Sequence, residues 1–533
     1  MIVYAFILIK EVEWPSITIC NLNQLEVSTL KKLDDAFNTS SKTDSIVNEY
    51  LANQEENYLG QELFVGASYA TKLWRQSCRD LVISMSFREN FLSWKELSPN
   101  KTDEEEFNNI GPSYYPTDFG ACCLFVPHLD FQSAKENVSY QDRYHGLTAD
   151  AQSGRINGLQ LLLDAEQFNY GDIPISDGVG FKVALNHHLD KPMMQYSSQL
   201  ISVGTETQIN LAPTISYTTS DAISTLKPEE RDCYANGEVN LTYLPYSSGF
   251  HYSMNNCIID ELLTFILWEC RCIPPFASSW IAKKYESHHD IVWLCQGEKL
   301  YCANRKINSL KKERENITTI KNSITLGKLK NTEKVGNISK PASIKCRPSC
   351  TVQENINQMS SVFYPQKRNF FYRKNFCHVS SHVLQITCRD EDRKHFLDLE
   401  YPGFCETLQY FEKYFGKNSS CDNWPENFLN ENDNKPNKTL MEHLFKYGRS
   451  SLSIVRVMIQ SPHVTKIKRD LAMTITNYVA NTGGLLGLCL GFSFISGIEV
   501  LFWICCLCQE VWKNVRNLAR VNGKMAIKKT IKT

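Results

Sequence analysis

Residues 485–508 read LLGLCLGFSFISGIEVLFWICCLC, and the fold class turns on this stretch. Its 24 residues hold a single ionisable carboxylate, Glu499. Coiled as an α-helix it would measure roughly 36 Å, enough to cross a hydrocarbon core of about 30 Å. The bland alternative, a core helix of a soluble protein, fails on the flanks. Lys513, Arg516, Arg520, Lys524, Lys528, Lys529 and Lys532 follow the run against one acid, Glu510. Basic residues directly beyond a span mark its cytoplasmic side. Residues 485–508 are therefore read as a transmembrane helix and 509–533 as a basic cytoplasmic tail. The long region 12–470 becomes an ectodomain, joined to the helix by a pre-pore segment, 471–484.

The span is unlike an ordinary anchor. Gly483, Gly487 and Gly491 recur every four residues, Gly484 doubles the first, and Ser493 and Ser496 follow. Small residues at this spacing let helices approach closely, at the expense of lipid-facing apolar surface. In a continuous helix Glu499 would lie about 80° around the axis from Gly491. An intramembrane carboxylate is costly unless it faces water, a cation or a partner. Glycine also leaves carbonyls uncovered, the chemistry by which filters replace water around a cation. One such helix cannot enclose a pore, so a channel reading requires an oligomer. A signalling receptor or an anchored adhesion protein also fits this segment taken alone.

The remaining sequence agrees with an external location. The 533 residues include 20 cysteines, with four at Cys489, Cys505, Cys506 and Cys508. The other sixteen are Cys20, Cys78, Cys122, Cys123, Cys233, Cys257, Cys270, Cys272, Cys295, Cys302, Cys346, Cys350, Cys377, Cys388, Cys405 and Cys421. Spaced through polar sequence, they are disulfide candidates of an oxidising compartment. The close pairs Cys346/Cys350 and Cys270/Cys272 lack a repeated C-x2-C partner, so structural zinc is not expected. Glycosylation sequons stand at Asn38, Asn137, Asn240, Asn316, Asn337, Asn418 and Asn437, all on the proposed outer side.

Composition excludes several other classes. The balance of 57 basic and 58 acidic residues argues against a general polyanion binder, and 42% hydrophobic content argues against disorder. A mean hydropathy of -0.32 excludes a many-span transporter. The sequence carries no G-x-S-x-G elbow, P-loop, H-E-x-x-H or dinucleotide fingerprint, so neither an enzyme nor a resident cofactor is expected. The basic insertion 303–342 lacks aromatic interleaving and carries sequons, which disfavours nucleic acid. A second polar insertion is read at 410–447. The pairs His187-His188 and His288-His289 are read as exposed loop histidines without a carboxylate or cysteine at metal spacing; no metal site is expected.

The N-terminal run MIVYAFILI is apolar but too short to span and lacks a basic leader. Residues 1–11 are read as a remnant or artefact of a first transmembrane region, or as a buried strand. Short strands are expected at Ser16–Cys20, Gly120–Val126, Gly180–Leu185, Thr205–Tyr217 and Ser451–Met458, with polar sequence from there to Asp470. Glycine and proline breaks between them suggest an antiparallel core. Cys122 and Cys123, adjacent on one strand, should face opposite ways and have different fates. A helix is expected over Ile259–Glu269, patches of helix over 34–66, and a solvated acidic loop over 95–108.

At this point the residues resemble the degenerin/epithelial sodium channel family, in its arthropod pickpocket-like branch. Gly483-Gly484-Leu485-Leu486-Gly487-Leu488-Cys489-Leu490-Gly491-Phe492-Ser493, continuing through Ser496 to Glu499, is similar to the family's second transmembrane helix. Trp14-Pro15-Ser16-Ile17-Thr18-Ile19-Cys20-Asn21 resembles the segment just outside the first. Between them, Gly120–Phe125, Arg231-Asp232-Cys233, Tyr252–Cys257, Cys270-Arg271-Cys272-Ile273-Pro274 and Pro348-Ser349-Cys350 match the extracellular pattern. The resemblance implies trimeric, voltage-independent, amiloride-sensitive sodium channels with two spans. It implies an α+β ectodomain with an antiparallel β palm, a β-ball, a helical finger, a thumb and a knuckle, the thumb-like cysteine block falling at 257–350. It implies a filter at Gly491, Phe492 and Ser493, and pore-lining or gating roles for Tyr478, Asn481, Gly483, Gly484, Gly487, Ser496 and Glu499.

Some positions depart from the family pattern. Met85, Leu92, Glu261 and Ile344 stand where it has cysteines, the first two reading as a pair lost together. Asn481 replaces an acid before the double glycine, and Tyr478 replaces a small side chain. The insertions after Cys302 and Cys350 are long, and the first span is missing or truncated. The expectation is a plasma-membrane channel subunit passing sodium as permeant ion, in a homo- or hetero-trimer within the bilayer, gated by an unknown extracellular ligand or stimulus such as a peptide, protons or force. The alternative is a non-conducting, receptor-like or accessory subunit.

Overall fold

The computed structural model describes residues 2–8, 12–24, 26–28, 31, 78–87, 90–93, 113–125, 158–170, 178–187, 190–244, 251–277, 281, 295, 299, 302–303, 305–307, 334–335, 338–339, 345–366, 374–415, 438–490 and 494–530. The expected helical patches of 34–66, the acidic loop 95–108, His288-His289 and most of the insertion 303–342 lie outside these residues. The chain divides into two compact units, residues 2–469 and residues 470–533.

The strands in chain order are β1 (Ile2–Leu8), β2 (Ser16–Asn21), β3 (Val82–Phe87), β4 (Asn90–Ser93), β5 (Ser113–Pro116), β6 (Ala121–Phe125), β7 (Leu159–Asp164), β8 (Gly180–Asn186), β9 (Ser198–Ser202), β10 (Thr205–Thr218), β11 (Lys334–Val335), β12 (Ile338–Ser339), β13 (Thr351–Phe363), β14 (Leu452–Ile459) and β15 (His463–Arg469). The longer helices are α1 (Met254–Phe265), α2 (Lys374–Ile386), α3 (Glu391–Glu400), α4 (Phe404–Phe415), α5 (Lys438–Ser451), α6 (Ile475–Leu490) and α7 (Phe494–Thr530).

Strand β7 shows how the large unit is layered. Its sequence LQLLLD is apolar on both faces, as a strand covered on both sides must be. Leu159, Leu161 and Leu163 join one buried cluster with Ile17, Ile19, Phe125, Phe181, Val183, Val455 and Val457. Leu162 turns the other way, to a second cluster with Val379, Leu397, Phe404, Leu444, Tyr447 and Ile454. The period of two thus places the sheet containing β7 between a second sheet and the helices α2–α5. The first sheet runs β1-β15-β10-β14-β7-β3-β4 with β13 on the other side of β10, and the second runs β5-β6-β2-β8-β9.

The core is not wholly antiparallel. β10 pairs antiparallel with β13 from Thr205↔Phe363 to Tyr217↔Thr351. Along its other edge it runs parallel first to β14 and then to β15. A parallel pair needs a long crossover, and helices α1–α5 supply it, lying between β10 and β14 in sequence. The polar stretch after Met458 is also a strand, β15, because β10 on one side and β1 on the other satisfy its backbone. The N-terminal apolar run forms β1, in register from Ile2↔Arg469 to Leu8↔His463.

Further differences concern the polar regions. The ends of the insertion read at 410–447 are helical, belonging to α4 and α5, and Leu444 and Tyr447 of α5 are fully buried. The expected helix over 259–269 begins earlier, at Met254, where the Ser253 hydroxyl accepts the Asn256 N–H as an N-cap. Its last turn widens to a π-helix over Ile266–Cys270.

Gly204 forms the turn between β9 and β10. It holds φ +66°, and a Cβ there would lie 2.5 Å from the Arg449 carbonyl oxygen. Its N–H donates to Leu452 O at 2.7 Å, and its carbonyl accepts from Tyr364 N at 2.8 Å. Only glycine tolerates both that conformation and that approach.

Candidate functional site

In the unit 470–533, helix α6 starts at a threonine. Thr474 Oγ1 accepts the Asn477 N–H at 3.2 Å, satisfying a donor the first turn leaves open. Tyr478 N–H bonds Thr474 O at 2.8 Å, and the Thr482 hydroxyl bonds back to Tyr478 O at 2.7 Å. Tyr478 is 63% exposed; Asn481, Gly483, Gly484 and Gly487 are exposed on the same helix. A Cβ added at Gly483 or Gly484 would meet nothing within 4 Å. These glycines are therefore not used for packing within their own unit. Ser496 is half-buried and Glu499 exposed on α7. Gly491, Phe492 and Ser493 lie outside the described residues.

Helix α7 contains the stretch able to cross a membrane. By length and composition it is Ile495–Leu518, 24 residues, none of it buried in the protein. The expected span 485–508 overlaps it from residue 495 onward. The helix then continues without a break to Thr530, so the basic segment begins as helix rather than as a separate tail. Trp512 and Arg516, one turn apart, stack with the guanidinium 4.0 Å from the ring centroid. An aromatic and a basic residue at a span's end suit the headgroup region. Leu488, Ile495, Leu501, Phe502 and Trp503 are all exposed, Leu488 at 90%. Such a surface requires lipid or further protein to cover it. Cys505, Cys506 and Cys508 are free thiols.

The cysteines of the unit 2–469 pair as the alternation of strands demands. Cys122 bonds Cys20, while its neighbour Cys123 bonds Cys78 on the opposite face. Cys233–Cys350, Cys257–Cys346, Cys270–Cys302, Cys272–Cys295 and Cys388–Cys405 follow. Cys377 is also disulfide-bonded, and Cys421 lies outside the described residues. Three bridges thus brace α1 and its surroundings. Met85 and Leu92 are direct partners in the β3–β4 ladder, the juxtaposition a lost disulfide pair implies. Asn240 is exposed, two residues before a segment that Asp260 of α1 holds through the Thr242, Tyr243 and Leu244 N–H groups. Asn38, Asn137, Asn316, Asn337, Asn418 and Asn437 lie outside the described residues.

Other charged groups had no signal in the sequence because their partners are far apart along the chain. Arg393 of α3 meets Asp80 at 2.9 Å, Glu26 at 3.3 Å and Glu166 at 3.5 Å. Nearby, Asp164 accepts the Tyr447 hydroxyl at 2.6 Å and the Glu166 N–H at 2.9 Å. Burial nonetheless pushes its carboxyl up to about 7. His187 also departs from the reading of an exposed loop histidine. It is half-buried, with Nε2 3.0 Å from Glu13 and its ring centroid 4.7 Å from that of His251.

Residues 1–503 match the family model described as Amiloride-sensitive sodium channel. Pickpocket protein 28 of Drosophila melanogaster is 25% identical over 283 residues, which is 50% of this chain and 44% of that protein. The aligned region therefore spans less than half of the relative's length. A match over nearly the whole chain, a disulfide-rich α+β unit and, among the described residues, an apolar helix long enough to span identify a membrane protein of a channel family rather than an enzyme. The chain belongs to the amiloride-sensitive sodium channel family.

Proposed function

We propose that this chain is a subunit of a sodium-conducting, amiloride-sensitive, voltage-independent channel of the plasma membrane. Three copies, of this chain or related subunits, surround a passage lined by Gly487 to Glu499. Oxygens of Gly491 and Ser493 coordinate a partly dehydrated sodium ion beside Phe492. Glu499 attracts cations on the cytosolic side. Conduction is passive, and an extracellular ligand or stimulus acts through the disulfide-braced unit of palm-, ball-, finger- and thumb-like parts. Residues 12–470 stand outside the cell, and the positive segment after the span lies in the cytosol.

Family membership carries this reading. Two physical features support assembly from several copies. Gly483 and Gly484 open onto empty space in the single chain, available to the close approach of another helix. Strand β13 pairs with β10 and, among the described residues, with no other strand, yet it exposes Ile356, Val362 and Phe363. An exposed apolar edge strand is a template for association. The test is expression in cells with recording of amiloride-blocked current under sodium and potassium gradients. The reading expects Ser493→Leu to abolish or reorder cation selectivity and Glu499→Gln to reduce conductance. Unchanged selectivity and conductance in both variants would place these side chains away from the ion path.

A further inference from the structure

His187, Asp190 and His251 each bring one ligand atom to a common point, all within 4.8 Å of one another. Their meeting is built by the fold. β8 ends at Asn186, and just beyond it Asp190 N–H donates to His187 O at 2.9 Å. That bond brings together an imidazole and a carboxylate three residues apart in sequence. His251 comes from the segment entering α1, and the buried side chain of Asn256 ties the two segments together. Asn256 Oδ1 accepts the Lys191 N–H at 2.9 Å, and its Nδ2 donates to His251 O at 3.0 Å. Asn255 Nδ2 adds a bond to Lys191 O at 2.9 Å, and the Ser253 hydroxyl holds the Asp190 carboxyl. Both backbones are thereby fixed by hydrogen bonds independent of any ion.

We propose that this cluster is a binding site for a divalent first-row transition metal ion of the zinc type on the extracellular unit. The donor set argues for that class. Two imidazole nitrogens and one carboxylate oxygen form a common zinc triad that leaves a fourth position open. Calcium and magnesium want oxygen ligands throughout, and two imidazoles serve them poorly. A tetrahedral zinc with bonds of about 2.0 Å needs donors roughly 3.3 Å apart. The present separations, 3.8 Å between Asp190 Oδ1 and His251 Nε2 among them, close to that by small side-chain rotations. The side chains are 27%, 16% and 25% exposed for His187, Asp190 and His251, so a dissolved ion can reach them. Glu13 completes the arrangement from outside. Its Oε2 lies 3.0 Å from His187 Nε2, a carboxylate–imidazole contact of the kind that orients a ligating ring. The metal would tie the end of β8 to the start of α1, two segments of the external unit.

The proposal does not depend on conduction, and its test measures metal directly. The full chain is purified in detergent, stripped with chelator and dialysed against zinc, and bound zinc is counted per chain. Wild type should retain one ion more than the double variant His187→Gln/His251→Gln. Glu13→Gln, which leaves all three ligands in place, should weaken binding by roughly 10–100-fold. Equal zinc in wild type and in a double variant whose disulfides are intact would overturn the proposal. Should the double variant not fold, X-ray absorption at the zinc edge of the wild type decides. A shell of nitrogen and oxygen donors supports the site, whereas a sulfur shell assigns the metal to thiols such as Cys505, Cys506 and Cys508 and overturns it.

Discussion

Arg393 lies within ion-pair distance of Glu26, Asp80 and Glu166 together, and it is largely buried with them. The cluster joins chain segments that are hundreds of residues apart. Replacing Arg393 with Met would take a charge partner away from three largely buried carboxylates, a change that typically costs about 3–5 kcal/mol. Delivery of the variant to the cell surface should fall steeply, and its melting temperature in detergent should drop. Asp164 makes a pH prediction. Burial raises its carboxyl from 3.8 to about 7, although the Tyr447 hydroxyl, the Glu166 N–H and the Arg393 charge pull it down. The folded chain therefore keeps a proton that the unfolded chain has already released. Stability from this group is full below about pH 4 and is lost as pH rises through about 7. Asp164→Asn removes that slope, so the variant's melting temperature should change less than wild type's across the same window.

Among elements, β9–β10 and the stapled strand β6 are the most exposed to single changes. Gly204→Ala would drive a methyl to within 2.5 Å of the Arg449 carbonyl while holding φ at +66°. Beyond the roughly 1 kcal/mol a left-handed residue costs, the clash must displace α5 from the β9–β10 turn, and limited proteolysis should show it. For β6, pairing sets the genetics. Cys20→Ser/Cys122→Ser removes one bridge and should cost about 2–5 kcal/mol, little more than Cys122→Ser alone. Cys20→Ser/Cys123→Ser breaks two bridges and should lower yield further on non-reducing gels. The opposite fates of Cys122 and Cys123 were legible in sequence because strand geometry alone dictates them. The strand at Thr205–Tyr217 was legible for the same local reason. Its parallel pairing with β14 and β15 was not, since those partners lie hundreds of residues further along the chain. β13 also escaped notice, because its mostly polar, exposed side chains carry no alternation toward a core. The His187–Asp190–His251 cluster was not legible: the sequence reading expects exposed loop histidines and no metal site there, and His251 joins them only through the Asn256 tie.

At the scale of the molecule, the helical unit is unfinished as a single chain. Apolar side chains from Leu485 to Leu518 stand exposed on α6 and α7, and only lipid or neighbouring helices can cover them. The family was legible from Gly483–Ser493 and Glu499, because a glycine stripe with a carboxylate is an unusual choice for a simple anchor. Assembly predicts that mild crosslinking at the cell surface yields a trimer, and that Gly487→Leu reduces it by keeping helices apart. The most direct measurement is the reversal potential of the amiloride-blocked current when external sodium is exchanged for potassium. A passage lined by this helix gives a sodium-dependent reversal potential that shifts in Ser493→Leu. A chain that reaches the surface as a trimer yet carries no such current, or one whose reversal potential is the same in that variant, would contradict it.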